Sequence, residues 1–125
     1  MNDKIEFAKK LEERTIKFAI EIIKFSAILG NSPEQKVIRN QLTKSGTSIG
    51  ANYREANRAR SKADFKSKIR ICEGEASETM YWLEIINDLG WIPDIKIKDI
   101  YIESRELTAI FSTISSKLNK KIEKV

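Results

Sequence analysis

A chain of 125 residues, 41% hydrophobic and 33% charged, is long enough for one packed core and has the size of a single domain. Five glycines and two prolines leave too little punctuation for a protein built of hairpins, so the composition favours helices. Without histidine the chain lacks the commonest general base and transition-metal ligand, and a formal net charge of +5 points to acidic partners.

The first helix is expected over about 3–29. Its opening, MNDKIEFAKKLEERT, sets carboxylates among lysines without an apolar core, unlike a secretory signal. Apolar residues then recur at three- and four-residue spacing (Ala8, Leu11, Phe18, Ile22, Phe25, Leu29), the pattern of one buried stripe. The most apolar stretch, Ile16 to Leu29, is interrupted by Lys17, Glu21 and Lys24 and cannot span a bilayer. A cytoplasmic protein without a membrane partner is expected. At the break that follows, Gly30 suits a helix C-cap and Ser32 an N-cap, with Pro33 at the first helical position and Gln35 completing a capping box.

The second helix, expected over about 33–59, carries Ile38, Leu42, Ile49 and Tyr53 with the small residues Ser45 and Ala56 on its stripe. It also contains the most unusual segment of the chain, LTKSGTSIGANYREA from Leu42 to Ala56. Inside a helix Gly46 and Gly50 are each worse than Ala by roughly 1 kcal/mol, so close approach of another backbone must compensate. Four residues apart, they share a face and make a flat groove with Ser45, Thr47, Ser48 and Ala51. Tight packing, within the bundle or between protomers, is the favoured reading, and a ligand groove is the alternative. Asn52 and Glu55 lie three apart. Glu55 is read as a buried, paired register group in preference to a catalytic carboxylate, because no second carboxylate stands at helical spacing on this segment.

A tight break at Ala59-Arg60-Ser61 leads to the third helix, about 62–89, with Ser61 as N-cap and Asp64 in the first turn. Its stripe is Phe65, Ile69, Cys72, Ala76, Leu83 and Ile86, and the single cysteine is read as a small buried side chain. After Gly90-Trp91-Ile92-Pro93-Asp94 the fourth helix, about 94–122, offers Ile97, Ile100, Leu107, Phe111, Ile114 and Leu118. Short connections make sequential helices antiparallel neighbours, so the expected fold is all-α: one up-down-up-down four-helix bundle over residues 1–125. Ile16, Ile20, Ile23, Tyr81, Trp82, Ile85, Ile102 and Ile110 fall off these stripes, a surplus that predicts self-association.

The runs SGTSIGANYREA, SKADFKSKIRI and EASETMYWLEIINDLGW, spanning about Gln41 to Trp91, resemble the proteins encoded by intervening sequences of bacterial large-subunit ribosomal RNA genes. The resemblance is carried by Ser48-Ile49, Asn52, Glu55-Ala56, Lys62-Ala63-Asp64-Phe65, Glu75-Ala76 and Glu78-Thr79. Tyr53-Arg54 stands where some relatives have Ile-Ala or Ile-Glu, and Cys72-Glu73-Gly74 replaces a different small-residue pattern. The resemblance implies a ring-like homopentamer of antiparallel bundles. It also implies distant kinship to the accessory protein of diversity-generating retroelements, which binds a reverse transcriptase and nucleic acid. No enzymatic activity is characteristic of that family.

Charge is unevenly placed. Residues 36–70 hold ten basic residues against two acids, Glu55 and Asp64, whereas residues 71–90 hold five acids and no base. Arg54, Arg58, Arg60, Lys62, Lys66 and Arg70 straddle the turn between the second and third helices, a candidate surface for phosphates. Ser45, Gly46, Ser48, Gly50, Asn52 and Glu55 are read as structural motif residues. The function expected is a non-enzymatic, basic oligomeric scaffold that binds RNA or DNA through backbone contacts, alone or with a nucleic-acid-processing protein. A protein–protein adaptor with no nucleic-acid affinity is the alternative. No catalytic residue, metal site or cofactor is expected: the chain lacks a phosphate-cradling glycine loop, a nucleophile motif and the Glu-x-x-His pairs of di-iron bundles.

Overall fold

The computed structural model describes residues 2–123. Four helices follow in order: α1 (Asp3–Ser26), α2 (Pro33–Ala56), α3 (Lys62–Leu89) and α4 (Asp94–Glu123). The described residues contain no strand, and no helix among them is long and apolar enough to cross a membrane.

The caps are those the sequence encodes. Asn2 Oδ1 accepts from the Lys4 N–H at 2.8 Å. Ser32 and Gln35 close a reciprocal box at 3.1 and 2.9 Å, with Pro33 at the first helical position. Ser61 Oγ accepts from the Asp64 N–H at 3.0 Å. Gly90, at φ +69°, ends α3 in the left-handed region. Two helix ends fall short of expectation. α1 stops at Ser26, with Ala27 and not Gly30 as C-cap, and α2 stops at Ala56. In both places the chain tightens into a turn of i→i−3 bonds, Leu29 N–H to Ser26 C=O and Ala59 N–H to Ala56 C=O. Hydropathy does not register that change because the apolar spacing continues through it.

The core follows the expected stripes. Phe18 and Ile22 of α1, Leu42 and Ile49 of α2, Ile69, Leu83 and Ile86 of α3, and Leu107 and Phe111 of α4 are fully buried. Tyr53 meets Phe111 edge-to-face, with ring centroids 5.4 Å apart, and so ties α2 to α4 across the interior. Ile38, Phe65, Ile114 and Leu118 pack against the core while only partly buried. Sequential helices make the main contacts, and α1 touches α4 sparingly. Paired positions fall in one helix as they rise in the next. Ser26 meets Thr43 and Glu12 meets Asn57. Ser45 meets Thr79 and Glu55 meets Lys68. Met80 meets Thr108 and Arg70 meets Asn119.

Candidate nucleic-acid interface

The motif segment of α2 lies against its own neighbours. A Cβ built on Gly46 would stand 2.8 Å from Ile22 Cγ1 and Cγ2, and one on Gly50 would stand 2.8 Å from Thr15 Oγ1 and 3.4 Å from the Thr15 backbone. The glycine pair therefore seats α1 within the protomer. Ser45 and Thr79 place their hydroxyls 2.9 Å apart in the α2–α3 seam, each also within reach of a carbonyl of its own helix, Leu42 or Glu75. Ser48 Oγ donates to the Lys44 carbonyl at 2.6 Å and Asn52 Nδ2 to the Ser48 carbonyl at 2.8 Å.

Glu55 corrects an expectation. It is paired, through Lys68 Nζ at 3.0 Å, but its side chain is 61% exposed, so it is a surface tie between α2 and α3. The spacing to Asn52 fixed its face without fixing its depth. Cys72 is buried, with its Sγ 3.5 Å from the Ile49 carbonyl, and burial pushes its thiol up to about 12. Burial, and then the charge of Glu78, raise the carboxyl of Glu75, while Lys44 opposes the shift. No group of three or more Cys, Asp or Glu side chains among the described residues is placed to hold a metal ion.

The six candidate basic residues gather at the α2–α3 turn, yet they do not form one row. Arg54 and Arg58 line a cleft against Glu12, Ile16 and Ile20 of α1, and Arg54 Nε lies 3.4 Å from a Glu12 carboxylate oxygen. Arg60, Lys62 and Lys66 line a second cleft with Phe65 and Leu118 of α4. Lys66 and Arg70 share a third surface with Ala63 and Ser67, where Arg70 Nη2 reaches Asn119 Oδ1 at 3.4 Å. The four-residue period is broken because α2 ends before Arg58 and the turn reorients the chain before α3 begins. Arg58, Arg60 and Lys62 are exposed around this turn.

Sequence reasoning missed other cations at the same end. Lys4 and Lys9 of α1 line a cleft with Arg54 and Asn57, and the exposed Lys117 precedes Leu118, which lines the turn cleft. They are remote in sequence from the charge run, so no local signal marks them. Tyr53 is buried in the core and so offers no ring for a base to stack on. The arrangement can neutralise phosphates.

An all-helical protein of four helices with one strongly basic end is the class these features define. The family of 23S rRNA-intervening sequence proteins matches residues 9–113, beyond both ends of the motif region. The chain belongs to that family. A crystal structure of a protein of unknown function, from the S23 ribosomal protein family of Bacteroides thetaiotaomicron VPI-5482, is similar at 36% identity and a TM-score of 0.77. The similarity covers 83% of this chain and 96% of that one. No match is found among curated proteins.

Proposed function

We propose that the protein is a non-enzymatic, basic oligomeric scaffold that binds RNA or DNA through the phosphate backbone at the α2–α3 turn. The observation that carries the reading is the exposed group Arg58, Arg60 and Lys62 at the α2–α3 turn, with Lys66 lining the same cleft as Arg60 and Lys62. Cations concentrated in this way release counterions from a phosphate chain, and the binding weakens steeply with salt. The helices form an antiparallel up-down-up-down bundle, a reading supported by the reversed pairing of positions in each neighbouring pair. Bundles assemble into a ring-like homopentamer in the cytoplasm, and the ring repeats the basic end around its axis, raising the local potential.

The test is fluorescence anisotropy of a structured RNA across a salt series. Micromolar or tighter binding with a steep salt slope is expected, and Arg58→Glu with Arg60→Glu weakens it at least tenfold. Flat traces at low salt overturn the reading. The protein-adaptor alternative is favoured by the exposed Leu89 and Ile95, and a pull-down that survives nuclease treatment would support it.

A further inference from the structure

Gly46 and Gly50 have their explanation inside the protomer, but Gly74 does not. It lies in the middle of α3, exposed, with nothing within 4 Å of where a Cβ would stand. Glycine is among the poorest residues for a helix interior, and no neighbour in this chain gains from its lack of a side chain. Gly74 also belongs to a second periodic stripe on α3: Ile71, Gly74, Glu78, Tyr81 and Ile85 recur at three and four, the spacing of a surface that receives another helix. Tyr81 is 55% exposed and Ile71 39%. Trp82 Nε1 donates to Glu78 Oε2 at 3.3 Å, which holds that carboxylate at the edge of the stripe. Of the five acids in residues 71–90, Glu78 belongs to this stripe, whereas Glu84 accepts from Tyr101 of α4 at 2.8 Å and Glu75 is partly buried.

A complementary surface exists on α1. Ile16, Ile20 and Ile23 are 43%, 48% and 50% exposed and form an outward ridge at four- and three-residue spacing. Lys17 and Lys24 flank the ridge with Glu21 between them, and the cleft beside Ile16 and Ile20 holds Arg54 and Arg58 together with Glu12 and Glu55. Among the described residues α1 and α3 do not pack on each other. Only a second copy can bring ridge and stripe together.

We propose that the Gly74–Tyr81 stripe of α3 is the seat for a second copy of this chain, which lays the Ile16–Ile20–Ile23 ridge of its α1 across it. Gly74 supplies the gap that an isoleucine knob enters, and Glu78 faces the lysines that border the ridge. Two different surfaces meet, so the contact is head-to-tail, and each copy keeps one of each surface for the next. Like-with-like pairing would set acid against acid on α3. The inference rests on the self-association proposed above and names the surfaces that make it.

Sedimentation velocity of the full chain at micromolar concentration tests it. Gly74→Leu fills open space with a better helix former, so the separated protomer keeps its helicity and melts no lower while its self-association weakens at least tenfold. Tyr81→Glu, a surface change, has the same effect on assembly. A photo-crosslinking amino acid in place of Tyr81 is expected to capture the peptide holding Ile16 and Ile20. Unchanged assembly in both variants, or capture of α3 by α3, overturns the proposed contact and leaves oligomerisation standing. A wild-type chain that sediments as a monomer overturns both. RNA titration with Arg60→Glu and Lys62→Glu, whose residues line the cleft on the α4 side, reads the basic end apart from this contact.

Discussion

Along its seam with α2, α1 lies so close that a Cβ on Gly46 or Gly50 would meet Ile22 or Thr15 at 2.8 Å. Along its seam with α4 the two helices touch sparingly and are joined by Arg14, whose Nε and Nη2 each lie 2.7 Å from Glu103 and whose Nη2 lies 3.2 Å from Glu106. Hydrogen bonds and charge from Glu103 raise the Arg14 guanidinium's pKa further above its ordinary value. One helix is thus fixed by shape on one side and by charge on the other. Shape responds to volume and is indifferent to salt; a partly exposed ion pair responds to salt and contributes little.

The largest effects should come from the shape side. Gly46→Ala and Gly50→Ala are each expected to cost about 1–3 kcal/mol by overpacking, outweighing a helix-propensity gain of roughly 1 kcal/mol. Urea denaturation reads this directly, and stabilisation by either change would mean that α1 can retreat. The same substitution at Gly74 sharpens the contrast. Gly74→Ala should stabilise the separated protomer by up to about 1 kcal/mol, measured below the concentration at which copies associate.

The charge side follows. Arg14→Met should cost about 0.5–1 kcal/mol, and the difference from the wild type should shrink in high salt. A cost that salt leaves untouched would assign Arg14 to packing. The smallest effect belongs to the α2–α3 seam, where the carboxyl of Glu75 is raised by burial first and by Glu78 second. A carboxyl that holds its proton more tightly when folded loses stability as pH climbs above the ordinary carboxylate range. Glu75→Gln should therefore be slightly more stable at neutral pH, with the advantage fading in acid. Thermal melts across a pH series would show it, and an equal or lower neutral melting temperature would count against it.

The sequence made the four helices, their starting caps and the apolar stripes legible, because capping boxes and the 3.6-residue period are local signals. It could say that Gly46 and Gly50 needed a close neighbour, but not that Thr15 and Ile22 are that neighbour, because periodicity defines a face and leaves its partner open. Thr15, Ser26, Thr79, Ser104 and Ser115 are buried although hydropathy marks them as polar. Thr15, Ser26, Thr79 and Ser104 satisfy their hydroxyls on carbonyls three or four residues back, an option that lets a polar residue enter a helical core. The basic end was legible as a charge run, whereas its division between the α1 side and the α4 side depends on where α2 stops.

The Arg14 clamp also bears on the order in which the molecule assembles. Three of its seams join helices adjacent in sequence, while Arg14 and Glu103 stand 89 positions apart. Contacts between sequence neighbours close short loops and form quickly; the distant one waits on them and gains little buried surface in return. The α1–α4 edge is therefore the last to zip and the first to breathe, so a chain whose other three seams are complete still has one place through which its interior can meet water.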